Sequence, residues 1–264
     1  MRKIGFIPCR GTQKEILPKS YAVEQRHERR KMLIAMINDS LPEAARFSSA
    51  DNGQYRQTVP EIFNDRIRSF FQCHRLRPER PQRVVRIYTH ESLLFERYFS
   101  RSSHPMGRYF ARNSPGSGEF RMLLGYDHPA AQLIALIFDG REVRMMLDLD
   151  TLFAHTVFRR IRREPSKTIT LDPPYIHIDQ HGVKTRLHPR WKQVDPRRLE
   201  QRREDIEQGL QQLKHDGIDQ CYLVYPKTER FQRHIQIKNG ETDQLKMIPY
   251  SFTFSQKEKK SCRK

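Results

Sequence analysis

Residues 171–192 read LDPPYIHIDQHGVKTRLHPRWK, and the rest of the chain is best understood outward from them. Tyr175–Ile178 alternates apolar and polar residues as a half-buried strand does, Asp179–Gly182 supplies turn chemistry, and Val183–Leu187 opens a second short strand. A basic segment follows, and then a helix is expected from about Pro196 to His215, stopped by Asp216-Gly217. The unit is therefore strand, turn, strand, helix.

Downstream, Cys221–Tyr225, His234–Lys238 and Leu245–Ile248 read as three further strands, with turns at Pro226–Thr228 and Asn239-Gly240. Upstream, Ala130–Phe138 and Met145–Arg163 read as two apolar-striped helices, the second ending in a run of arginines that suits a helix C-terminus. A sheet flanked by helices fits this order. The first half is sparser. Residues 1–21 suggest a short strand and a loop, and Ala22–Leu41 a basic helix whose Arg26–Lys31 turn reads as a solvated face. Glu61–Cys73 and Ser92–Phe99 carry helical apolar spacing, and Val84–Tyr88 is strand-like. Residues 100–118 are rich in Ser, Gly, Arg and Pro and mark a boundary. The expected organisation is a mixed N-terminal region over 1–118, an α/β domain over 119–255, and a basic tail over 256–264.

Composition narrows the function. Lys plus Arg number 49 against 31 acids, a formal net charge of +18. Such an excess attracts polyanions, of which nucleic acid is the commonest in a cell. An acidic protein partner is the other reading. The four cysteines, Cys9, Cys73, Cys221 and Cys262, form no CxxC pair, which argues against a zinc ribbon or a disulfide framework. No apolar run reaches the ~18–20 residues of a membrane span, and the N-terminus lacks a signal-length apolar stretch; a cytoplasmic protein is expected.

Six segments in order carry a resemblance. Tyr126 with Leu133–Ile137, Met146–Ala154, Leu171–Ile176, Arg186–Lys192, Asp205–Gln208, and Tyr222–Lys227 with Phe231 and Leu245–Tyr250 resemble McrC, the nuclease subunit of GTP-dependent, modified-cytosine restriction systems. The likeness covers about half the chain and implies a PD-(D/E)XK-type α/β fold, DNA as the ligand and a McrB-like GTPase as the partner. In that class, a carboxylate on the first strand and the acid of an acid-x-lysine triplet on the second hold Mg²⁺ through hard oxygen ligands. The ion lowers the pKa of the attacking water.

The departures fall on those positions. Where the resemblance implies the helix glutamate, the first-strand aspartate, the second aspartate and the lysine, this chain has Ala154, Pro174, His188 and Arg190. Histidine is a poor Mg²⁺ ligand, and arginine stays protonated and cannot act as a base. Gln208 matches a supporting glutamine of this class, while a family tyrosine four residues on is Gln212. Asp172, two residues before Pro174 and so on the same side of a regular strand, would be the surviving catalytic and Mg²⁺-binding carboxylate, paired with Gln208. Asp179 reads as a turn residue, and Asp148 and Asp150 as helix-capping or exposed. His177 with His188 could hold a transition metal or be structural. Between His155 and Arg203 there are thirteen Lys/Arg against five acids. The candidate DNA contacts are Arg159, Arg160, Arg162, Arg163, Arg190, Trp191, Lys192, Arg197 and Arg198, with Trp191 either stacking on a base or packing inside. The expected function is a DNA-binding defence subunit with a degenerate nuclease site. An active Mg²⁺-dependent endonuclease using displaced ligands, or a basic interaction protein that ignores DNA, are the alternatives.

Overall fold

The computed structural model describes residues 3–9, 12–19, 25–41, 58–59, 62–63, 136, 138–139, 142–143, 145–162, 167–239 and 242–252. The expected elements at 84–88 and 92–99, the boundary at 100–118 and the tail at 256–264 lie outside these residues, as does most of 61–73. Ile62 and Phe63 of that last segment are helical and buried, as its spacing predicts. The chain divides into two compact units, 1–19 with 24–152, and 20–23 with 153–264.

In the first unit, β1 (Lys3–Cys9) and β2 (Thr12–Ile16) form an antiparallel hairpin, and β5 (Met145–Asp148) pairs with the other side of β1. A two-residue ladder, β3 (Phe138–Asp139) with β4 (Glu142–Val143), precedes β5. Two expectations need correction here. Met145–Asp148 is a strand, not the start of a helix, and Phe138 lies in β3, so the preceding helix cannot run through it. Met-Met-Leu satisfies either periodicity, and the pairing of Ile4 with Leu147 and Gly5 with Met146 decides for strand. Asp148 then caps the helix that follows, its Oδ1 accepting from Thr151 N–H at 2.8 Å.

Helix α1 (Arg26–Ser40) buries Met32, Leu33, Ile34, Met36 and Ile37. It also buries Arg30, which shares the face of Leu33, Ile34 and Ile37. The solvated reading of this turn is thus corrected at Arg30: its Nε and Nη2 donate to Glu15 at 2.9 and 2.6 Å, and Val59 N–H and Arg26 donate to the same carboxylate. Burial alone would raise the Glu15 pKa; Arg30, the Val59 N–H and Arg26 outweigh it and leave it lowered.

Gly5 in β1 has φ +137°, and a Cβ there would lie 2.0 Å from the Met145 carbonyl oxygen. The obstacle is backbone, so it cannot step aside. Gly5→Ala is expected to destabilise this unit by about 3 kcal/mol or more, read as a fall in the urea midpoint of the full chain by far-ultraviolet circular dichroism; an unchanged midpoint would refute the close approach.

The second unit is a six-stranded mixed sheet in the order β10-β11-β9-β8-β7-β6, flanked by helices. Helix α2 (Leu149–Ile161) leads into a meander of β6 (Thr168–Asp172), β7 (Tyr175–Gln180) and β8 (Val183–Pro189). A 3-10 turn (Leu199–Arg202) and α3 (Arg203–His215) then cross to β9 (Gln220–Pro226), parallel to β8. β10 (Ile235–Asn239) and β11 (Thr242–Tyr250) close the sheet, with β11 inserted parallel to β9. The expected strands at 175, 183, 221, 234 and 245 are all present. The helix expected from Pro196 starts as an α-helix only at Arg203, and it ends at Asp216 with Gly217 at φ +61°. β6 is a strand that the periodicity reading passed over.

Alternation along the strands assigns the two faces. On one, α3 lays Ile206, Leu210 and Leu213 over Cys221, Leu223, Leu245 and Met247. Packing is close enough that a Cβ on Gly209 would meet Leu245 Cδ1 at 2.8 Å. At the other face, Phe153 of α2 meets Trp191 and Tyr250 edge-on with centroids 5.3 and 5.5 Å apart, and Phe252 completes the cluster. Trp191 is 1% exposed, so the packing reading holds and the stacking one is corrected: no ring face is left for a base.

Candidate functional site

The residues around Arg186–Lys192 sort by parity. Leu187, Pro189 and Trp191 point to the buried aromatic side. Arg186, His188, Arg190 and Lys192 line the opposite face in one row, which continues past the end of β8 because Arg190 N–H donates to Val224 O at 2.8 Å. Lys192 and Arg190 thus face the first turns of α3, and Arg186 its C-terminal end at Asp216.

Asp205 and Gln208, one helical turn apart on α3, meet that row. Asp205 is 3% exposed. Its Oδ1 accepts from Lys192 Nζ at 2.7 Å and lies 3.8 Å from Arg190 Nε, while Oδ2 accepts from the Tyr225 hydroxyl at 2.9 Å. Gln208 bridges onward: Oε1 accepts from Arg190 Nη2 at 2.8 Å, and Nε2 donates to the Tyr175 hydroxyl at 3.0 Å. The Tyr175 ring lies against His188, centroids 4.5 Å apart, and the Arg186 guanidinium sits 5.5 Å over the same ring while pairing with Asp216.

Electrostatics follow from this geometry. Burial would raise the Asp205 pKa, but the hydrogen bond and charge of Lys192, the Tyr225 hydroxyl and Arg190 outweigh it, and the group stays ionised below its usual range. Burial and then the adjacent carboxylate push Tyr225 upward, so its hydroxyl keeps its proton. His188 is fully buried, and neither ring nitrogen has a hydrogen-bond partner among the described residues. Burial first and then Arg190 lower its pKa to about 3; Asp205 opposes them, and Lys192 and Arg186 add lesser lowering effects. His188 is a neutral ring in a cationic row.

Asp172 requires a correction of geometry. It ends β6, and the Pro173-Pro174 turn, whose bond is cis, reverses the chain before β7. Asp172 and Pro174 therefore do not share a strand; Asp172 is exposed at the rim, with Tyr175 as its cross-strand neighbour. Ala154 is sealed in the interior of α2. Asp179 accepts from Gly182 N–H at 3.2 Å, the turn role its position predicts. Asp150 lies in the first turn of α2. His177 faces Arg186 across the ladder and His188 lies against Tyr175, so the two histidines are not opposite one another. Among the described residues no group of three or more His, Cys, Asp or Glu comes together.

Of the candidate DNA contacts, Arg190 and Lys192 are engaged by Asp205 and Gln208, and Arg163 lies outside the described residues. Arg159 is half-buried. Arg160 donates to Ser251 O at 2.9 Å, its guanidinium 5.3 Å over the Tyr250 ring. Arg197 and Arg198 are exposed, and Arg162 closes α2 at the surface.

A hard divalent ion does not fit this donor set. The carboxylate at the centre already accepts from an ammonium and a phenol, and the positions facing it carry guanidinium, ammonium and a neutral imidazole rather than oxygen ligands. The arrangement can neutralise anionic charge; it offers no group placed to activate water among the described residues. Asp205, Tyr225 and Tyr175 are the site residues that the sequence reading left without a role. Their signal was the basic row at every second residue of 186–192, which needs a counter-charge. No family model, no curated protein and no solved structure matches this chain.

Proposed function

We propose that this chain is a McrC-like, DNA-binding subunit of a GTP-dependent restriction or anti-phage defence system, with a PD-(D/E)XK-type domain that binds without cutting. The element order supports the fold reading: a helix, a three-strand meander, a crossing helix and a fourth strand parallel to the third. Pro174 precedes β7, His188 lies on β8 and Arg190 directly follows it, where that class carries its ligands on consecutive strands. The observation that carries the functional reading is the Asp205 network. Internal cations hold the central carboxylate of a strongly basic chain, which removes the metal-dependent step and leaves polyanion binding. No helix among the described residues is long and apolar enough to cross a membrane.

The test is cleavage of methylated and unmethylated plasmid with Mg²⁺ or Mn²⁺, with and without a McrB-like GTPase, beside a DNA-binding measurement. The wild type is expected to bind in a salt-sensitive way and to leave the plasmid intact. Pro174→Asp/His188→Asp/Arg190→Lys, which returns the acids and lysine, is expected to regain nicking if the scaffold tolerates it. Cleavage by the wild type that Asp172→Ala abolishes would replace this reading with an active nuclease. Absence of DNA affinity at physiological salt would replace it with a protein-interaction role.

A further inference from the structure

β8, β9 and β11 are mutually parallel, so Pro189, Pro226 and Tyr250 all finish at one edge of the sheet. The segments leaving that edge, 190–202 and 227–234, are tied together by Arg230 Nη1 to Asp195 Oδ2 at 3.3 Å. Arg197 and Arg198 on the first segment, and Arg230 and Arg233 on the second, are exposed. Arg160, near the end of α2, reaches the same edge through Ser251. The acids of the two segments are Asp195, Glu200 and Glu229. Asp195 is committed: the Arg197 N–H first, then Arg230 and Arg198, hold its pKa low.

We infer that this edge, and not the Arg186–Lys192 row, is the surface that grips the phosphodiester backbone of nucleic acid. The inference rests on the DNA-binding reading above and names the groups that would touch phosphate. Arg190 and Lys192 face an ionised, buried Asp205, so moving them to phosphates would strand that charge. At the edge, Arg230 pairs with Asp195 at the surface, and the exposed Arg197, Arg198 and Arg233 face no buried carboxylate among the described residues. They come from segments far apart in sequence and converge only through the parallel arrangement, and guanidinium groups bind phosphate oxygens in a two-pronged geometry. Contacts of this kind position a duplex without reading its sequence.

The opposite edge supplies a charge-matched control, because Lys184 at the start of β8, Lys214 at the end of α3 and Lys238 at the end of β10 are exposed there. Fluorescence anisotropy with a labelled random-sequence duplex over a salt series would compare the full chain with Arg197→Glu/Arg198→Glu/Arg233→Glu and with Lys184→Glu/Lys214→Glu/Lys238→Glu. The edge variant should bind on the order of a hundredfold more weakly, and its slope of log affinity against log salt should flatten by roughly 0.9 for each phosphate that is no longer neutralised. The control should keep the wild-type slope. Should the glutamate variant fail to fold by circular dichroism, Arg197→Gln/Arg198→Gln/Arg233→Gln must flatten the slope in the same sense. Equal weakening in both variants, or an edge variant with an unchanged slope, would overturn this inference while leaving DNA binding in place. A wild type that does not bind the duplex overturns both.

Discussion

Asp205→Ala is expected to lower the stability of the full chain by about 3 kcal/mol, the lower end of the range for breaking a buried ion pair by removing one partner. The substitution leaves the Tyr225 hydroxyl, buried in the core, without its acceptor, and leaves Lys192 and Arg190 facing each other without a carboxylate between them. Their side chains are 28% and 20% exposed, so water recovers part of the loss. Urea denaturation followed by the fluorescence of Trp191, which packs in the same unit, gives the magnitude. Asp205→Leu combined with Lys192→Met should be less destabilised than Asp205→Leu alone, because it removes the stranded ammonium as well. Additive losses would mean that the pair is not coupled. The pKa of Asp205 is lowered on folding, so its contribution is present above the ordinary value of 3.8 and is lost as pH falls through the lower folded value.

His188 acts in a separate and higher pH window. Its pKa falls from 6.5 to about 3 on folding. Between those values the unfolded chain binds a proton that the folded chain refuses, so stability is complete above pH 6.5 and drains away as pH falls toward 3. At about 1.4 kcal/mol per pH unit the full span corresponds to roughly 5 kcal/mol. His188→Leu should flatten this slope, leaving the part that comes from His155 and His177, whose pKa values burial also lowers. It should also gain about 1–3 kcal/mol at neutral pH, since two buried nitrogens without partners among the described residues are replaced by carbon. Melting temperatures of the wild type and His188→Leu, measured between neutral and acidic pH, decide the matter. Curves of equal pH slope would place the acid-labile group elsewhere. The two effects together describe a protein whose central row tolerates its cations only while the histidine stays neutral and the aspartate charged.

What the sequence revealed and what it hid divide along physical lines. β7, the Asp179–Gly182 turn and β8 were legible because alternation and turn chemistry are local, and the end of α3 was legible because Gly217 supplies a left-handed residue. Met145–Asp148 was misread because its pattern fits either element and the deciding partner, β1, lies at the far end of the chain. Arg30 looked solvated because its acceptor, Glu15, belongs to a different element, the strand β2. The site behaved likewise. The basic row on β8 was visible in RLHPRWK, but its counter-charge came from α3, and Tyr175 joined it across the hairpin. Asp172 was assigned by counting along a strand that in fact turns at Pro173-Pro174.

The insertion of β11 between β9 and β10 also sets an order of events. β10 precedes β11 in the chain, yet among the described strands its neighbour in the sheet is β11 alone. As the polypeptide leaves the ribosome, residues 235–239 therefore have no strand to pair with until the following nine-residue strand has emerged. Leu245 and Met247 of that strand also complete the core beneath α3. The wait is imposed by sequence separation rather than by local propensity, as in other non-local sheets. The sheet of the second unit closes only once β11, the last of its described strands in chain order, has emerged.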